Sequence, residues 1–147
     1  MRSKIEWHGK EDFWPGSKEQ RARWLSEIAI SNGFAIKEIH YHATDDLFLL
    51  GMNKAHLAHD TLTDVITFDY SKKKQLSGEI YISWERVAEN AEEMGIKQDE
   101  EVLRVTVHGL LHMMGERDKS ESDKEKMRKA EDSALANWTM FHVEHGQ

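Results

Sequence analysis

The sequence predicts an α+β fold in which helices cover a small sheet. Three observations lead there. The candidate elements run in a mixed order, helix, strand, helix, strand, strand and then helices. The 147 residues are one domain's worth and too few for two ordinary ones, so residues 1–147 read as a single domain. Hydrophobic residues make up 39%, enough for one core and too many for a disordered chain.

The first helix starts at Ser17, where Ser17-Lys18-Glu19-Gln20 fits a capping box. It carries an apolar stripe of Trp24, Leu25, Ile28 and Ala29, and Gly33 closes it. Phe34 to His42 is rich in β-branched and aromatic residues and reads as a strand, with Ile39 and Tyr41 alternating. Thr44, followed by Asp45 and Asp46, opens a second helix that carries Leu47, Leu50, Met52 and Leu57. Val65 to Tyr70 and Glu79 to Ser83 read as strands, and the short polar link between them predicts a hairpin or a neighbouring pair. Ser83 caps a third helix that runs to about Met94 and stops at Gly95. A fourth spans about Asp99 to Met114, with Asp99, Glu100 and Glu101 in its first turn, and a fifth about Ser122 to Ala136. His142 and His145 then fall in a frayed tail.

Composition narrows the function. With no cysteine there is no disulfide scaffold, no thiolate zinc site and no cysteine nucleophile. No apolar run approaches the roughly 20 residues of a membrane span, and Met1 to His8 has no apolar signal region. A soluble cytoplasmic protein without a membrane partner is expected. Lys plus Arg total 20 against 27 Asp plus Glu, a formal net charge of −7. That balance argues against coating nucleic acid by bulk charge, although a local cationic groove can sit on an acidic body. The five tryptophans read as packing residues, and Lys72 to Lys74 as a solvated loop. His40 and His42 share one side of a strand, and the acidic stretch Asp123 to Glu131, interleaved with Lys124, Lys126, Arg128 and Lys129, reads as a solvated helix face.

The informative segment is Val107-His108-Gly109-Leu110-Leu111-His112-Met113-Met114-Gly115-Glu116-Arg117-Asp118. Nine histidines in 147 residues give roughly half such an i, i+4 pair by chance, so the spacing alone is a weak signal. The surroundings strengthen it. His108 and His112 are one helical turn apart, about 6 Å along the axis, and can share one metal ion. They are embedded in Val105, Val107, Leu110, Leu111 and Met113, where unpaired imidazoles would be awkward to bury. Gly115 can end the helix and turn the chain back, which brings Asp118 within reach of the same ion. Two nitrogens and a carboxylate oxygen would leave one position for water, a donor set that suits zinc and also nickel or iron. The inner pattern is H-G-x-x-H, so Gly109 stands where a zinc peptidase carries its glutamate base.

His108-Gly109-Leu110-Leu111-His112-Met113-Met114-Gly115 resembles the signature of the YbeY endoribonucleases. Leu57 to Phe68 is similar to that family's segment ending T-D-V-L-S-F, and Gly78 to Ser83 to its G-D-I-x-I-S. The resemblance covers about Ile36 to Glu131. It implies a small mixed sheet packed with about five helices and a metal site at one end of a central helix. It also implies a zinc-dependent hydrolase that cuts single-stranded RNA in 16S ribosomal RNA 3′-end maturation and ribosome quality control. The small ribosomal subunit or its assembly factors would be partners, and DNA would not. Two positions depart from the family. Asp118 stands where a third histidine ligand is usual, and Leu57 where many members carry an arginine; His59 is the candidate substitute for that arginine. Arg104, one turn before His108, and Arg117 are candidate donors to the phosphoryl oxygens. Two rival expectations are a ribosome-assembly factor with a structural metal and a metallopeptidase, the latter lacking its glutamate at Gly109.

Overall fold

The computed structural model describes residues 3–56, 63–117 and 119–145, with the backbone alone at 55–56 and 140–145. Four strands pair among the described residues: β1 (Lys4–Gly9), β2 (Ala35–Thr44), β3 (Val65–Asp69) and β4 (Gln75–Ser83). Their spatial order is β1-β2-β4-β3. β2 lies parallel to β1 and β4, and β3 returns antiparallel to β4, as the short polar link predicts. The helices are α1 (Lys18–Ser31), α2 (Asp46–His56), α3 (Trp84–Met94), α4 (Gln98–Met113) and α5 (Glu121–His145). A mixed sheet with five α-helices is the expected α+β architecture.

The caps explain where the helices begin. Ser17 Oγ accepts from Gln20 N at 3.1 Å, while Ser17 N donates to Gln20 Oε1 at 2.8 Å, a complete capping box for α1. Ser83 Oγ accepts from Arg86 N at 3.1 Å at the head of α3, and Gly95 ends that helix in the left-handed region. α2 is capped one residue later than the sequence suggests. Phe48 N donates to Asp45 Oδ1 at 2.8 Å, and β2 continues through Thr44.

One face of the sheet carries the core. Ile39, Tyr41 and Ala43 of β2 and Ile80 and Ile82 of β4 point into it, and His40, His42, Glu79 and Tyr81 stand on the other face. α4 is the central element of that core, with Val102, Leu103, Val105, Val107, Leu110, Leu111 and Met113 buried against the sheet and its neighbouring helices. Tyr41 donates its hydroxyl to Thr106 O at 2.9 Å, which ties β2 to the middle of α4. At Gly109 the helix approaches β4 tightly. A Cβ there would lie 2.9 Å from Ile80 Cδ1 and 3.0 Å from Cγ2. Gly109 therefore faces the sheet, and a glutamate in its place would start out against Ile80.

Three features go beyond the sequence reading. β1 is an edge strand whose alternation, Ile5 and Trp7 inward against Lys4, Glu6 and His8, is too short and too charged to stand out. β4 begins at Gln75, earlier than its apolar residues indicate. α5 continues to His145 in place of the expected frayed tail. Its later turns are held by α1: Trp24 Nε1 donates to Ala134 O at 2.9 Å, and the Trp24 and Trp138 rings meet edge to face at 5.2 Å. The tryptophans do serve packing, with Trp24 and Trp14 buried and Trp7, Trp84 and Trp138 packed at the core's edge. Lys72 to Lys74 are exposed. No helix among the described residues is long and apolar enough to cross a membrane.

Glu101 is the anomaly of this core. It is only 4% exposed, and its Oε1 has no hydrogen-bond partner among the described residues. Burial, reinforced by the nearby Asp64 and opposed by Arg104, pushes its carboxyl up to about 7. A pKa raised above the unfolded value means that this group's stabilisation is complete below about pH 4.5 and lost as pH rises through 7. The expected result is that Glu101→Gln gains about 2 to 3 kcal/mol relative to the unsubstituted protein between pH 5 and pH 8, in urea denaturation. A stability difference that stays constant over this range would show that Glu101 does not carry the titration.

Candidate metal centre

α4 delivers two imidazoles to one end of the core. The His108 and His112 rings lie 5.9 Å apart between centroids and are tilted by 56°. His108 Nδ1 is 2.6 Å from Glu131 Oε2. A carboxylate oxygen accepts from a ring N–H, so this contact suits a hydrogen on Nδ1 and leaves Nε2 as the nitrogen for a metal. His112 Nδ1 is 3.0 Å from the backbone carbonyl of Glu116, which suits the same tautomer by the same logic.

The His112 contact is made by the way the helix ends. Gly115 adopts φ +101°, Gly115 N donates to His112 O at 3.1 Å, and Glu116 N donates to Leu111 O at 3.0 Å. This is a Schellman turn, with glycine in its left-handed position. It folds the chain back so that the Glu116 carbonyl meets His112. The sequence expectation that Gly115 ends the helix and returns the chain towards the histidines holds.

The His108 contact comes from a different element. Glu131 lies on α5, between Met127 and Ala134 on that helix's buried stripe, and is itself 7% exposed. Its second oxygen, Oε1, accepts from Arg104 Nη1 at 3.1 Å. Arg104 also reaches Asp132 Oδ1 at 3.2 Å and lies 4.0 Å from Glu100. Burial lowers the guanidinium's pKa, but its bonds to Glu131 and Asp132 outweigh that and raise it above the ordinary value.

The structure thus brings His108, His112 and Arg104 to one face of α4 and places Arg104 among carboxylates. Arg117 is exposed just beyond the helix. Asp118, His59 and Leu57 lie outside the described residues. Among the described residues no third His, Asp or Glu joins the two imidazoles as a metal-holding group. Glu131 is the residue that sequence reasoning missed, because it reads as part of a solvated acidic face. Its signal was positional: at i+4 from Met127 and i−3 from Ala134, a charge occupies an apolar stripe.

Comparison with known proteins adds to this geometry. A sequence profile for the family described as Endoribonuclease YbeY matches residues 15–139. The chain is 42% identical over 139 residues to the endoribonuclease YbeY of Flavobacterium psychrophilum, covering 95% of this chain and 97% of the relative. It is 41% identical over 140 residues to that of Flavobacterium johnsoniae, covering 95% and 99%. The solution structure of TM1509 from Thermotoga maritima is similar with a TM-score of 0.64 at 27% identity, covering 92% of both chains.

Gly115→Ala places a side chain at φ +101° and is expected to cost about 1 to 3 kcal/mol in chemical denaturation. The same variant should loosen the Glu116 carbonyl from His112, seen as a mixed His112 tautomer in imidazole NMR spectra. Wild-type stability together with an unmixed tautomer would show that the turn does not set this ring.

Proposed function

The chain belongs to the endoribonuclease YbeY family, so its activity class is cleavage within RNA chains, and from that premise we propose a zinc-dependent endoribonuclease. It hydrolyses phosphodiesters of single-stranded RNA and serves 16S ribosomal RNA 3′-end maturation and ribosome quality control. His108, His112 and Asp118 hold the zinc ion. A cytoplasmic location, with the small ribosomal subunit or its assembly factors as partners, belongs to the same reading.

The observation that supports the metal assignment is the pair of Nδ1–oxygen contacts. Both rings give Nδ1 to an oxygen acceptor, which leaves the metal-binding lone pair of each on Nε2, one helical turn apart. The donor chemistry fits zinc, because two neutral imidazoles and a carboxylate are borderline and hard ligands that the ion accepts together. When bound, zinc supplies an acidified water and a Lewis acid at the phosphoryl oxygen.

The protein's own part is positional and electrostatic. His108 is fixed by Glu131 and His112 by the Gly115 turn, so both rings are oriented before any ligand arrives. Asp118 brings a negative charge in place of the family's neutral third imidazole. It lowers the net charge of the centre and makes the bound water slightly less acidic. Negative charge on the scissile phosphate calls for cations nearby. Arg117 is exposed at the right end of α4, and His59 is our candidate for the contact made elsewhere in the family by the arginine that Leu57 replaces. Arg104 supports the site from its place beside Glu131.

The test pairs metal analysis of the purified protein with cleavage of a defined single-stranded RNA. One zinc per chain is expected. Chelation should abolish cleavage and added zinc restore it, whereas His112→Ala should lose both zinc and cleavage. Cleavage that survives both chelation and His112→Ala would overturn the metal-dependent reading. Full zinc loading without cleavage would leave the ribosome-assembly role with a structural metal.

A further inference from the structure

We propose that Glu131, clamped by Arg104, is a positioning residue for His108: it fixes the ring's tautomer and orientation and enriches the electron density on Nε2. The consequence for metal affinity rests on the zinc reading above. The effect on the ring itself does not, and can be measured without metal.

The geometry is a relay of three side chains from two helices. Arg104 Nη1 holds Glu131 Oε1 at 3.1 Å, and Glu131 Oε2 holds His108 Nδ1 at 2.6 Å. Each carboxylate oxygen thus has its own donor. The Glu131 side chain keeps 10% of its exposure, and those of Arg104 and His108 about a quarter each. At that depth a carboxylate needs a partner on each oxygen, and Arg104 supplies one of them. An ionised acceptor on Nδ1–H does what a neutral one does less well. It holds the hydrogen on Nδ1 and strengthens the opposite nitrogen as a ligand.

The two histidines differ in this respect. His112 is exposed and rests on a backbone carbonyl, whereas His108 is half-buried and rests on a charge. His108 is therefore the more deeply held member of the pair. Arg104 Nη1 and Nη2 reach Glu131 and Asp132, so the guanidinium is anchored to the protein's own carboxylates. In this proposal its part is to hold Glu131, whatever contact its remaining N–H donors make with a phosphate.

A purely structural clasp between α4 and α5 would use the same bonds, so the test needs a readout that a clasp would not move. Imidazole nitrogen–proton NMR spectra of the metal-free protein report the His108 tautomer. Zinc competition against a chromogenic chelator reports affinity, and urea denaturation reports stability. Glu131→Gln is nearly isosteric, but its single carbonyl oxygen cannot accept from both Arg104 and His108, and its amide hydrogens oppose one of them. It should raise the Nε2–H fraction of His108 and weaken zinc binding about 10- to 100-fold. Arg104→Lys keeps the charge and loses the fork, and should shift both readouts the same way by less. Asp132→Asn removes only the exposed arm and should leave both unchanged. Lower stability in Glu131→Gln and Arg104→Lys with an unchanged tautomer and unchanged zinc affinity would reduce the relay to a clasp and overturn the proposal, with zinc binding by the wild type still standing. A shifted tautomer in a protein whose wild type binds no zinc would overturn the metal reading and leave the positioning of His108 intact.

Discussion

The packing of α4 onto β4 is the contact on which the rest of the molecule depends. α4 buries most of its residues, and at Gly109 a side chain would meet Ile80. That contact helps to set how deep the helix lies and how it is rotated. Rotation then decides the chemistry, because with Gly109 turned to the sheet His108 and His112 are turned to the cleft rim and Arg104 lies one turn back on their side. A helix without this glycine would stand further from β4 and shift His108 relative to Glu131 of α5. The same constraint explains why H-G-x-x-H is not a damaged peptidase motif. The position that would hold the glutamate base is occupied by the helix–sheet contact.

Fixing α4 does not by itself orient the rings, and each is oriented by a separate device. The helix end supplies one. A left-handed glycine lets the chain reverse, and the reversed chain offers a carbonyl to His112. Tertiary packing supplies the other, since Glu131 reaches His108 only because Met127 and Ala134 dock α5 against the core. The first device is local and the second spans 23 residues of sequence. Disturbing α5 would therefore release His108 while leaving His112 in place.

This division also accounts for what could be read from the chain. The capping box at Ser17, the cap at Ser83, the glycine stops and the β3–β4 pair are local, and local rules found them. The pair His108 and His112 and the turn at Gly115 were legible for the same reason. β1 was not, because a six-residue edge strand with charges on alternate positions differs little from a loop until a neighbour pairs with it. The end of α5 was not, because Trp138 and Ala134 are held there by α1, more than 100 residues earlier. Glu131 was hidden by its setting. Amid Lys124, Glu125, Lys126, Arg128 and Lys129 it reads as one more solvated charge, and only its register with Met127 marks it as buried.

Glu131 and Glu101 show how burial alone leaves the state of a carboxylate open. Both lie on the α4 side of the core and both are nearly inaccessible. Glu131 has a guanidinium on one oxygen and an imidazole on the other, so ionisation is compensated. Glu101 has an oxygen without a partner among the described residues and Asp64 nearby, so its neutral form is favoured up to about pH 7. Arg104 acts on both, bonded to Glu131 and close enough to Glu101 to oppose its rise. Arg104 is therefore engaged with the protein's own charges. In a chain of net charge −7, exposed cations such as Arg117 beyond α4 bear on attraction for a polyanion. Exposed charges are screened by salt, so substrate attraction should weaken with ionic strength, whereas the buried relay that orients His108 should not.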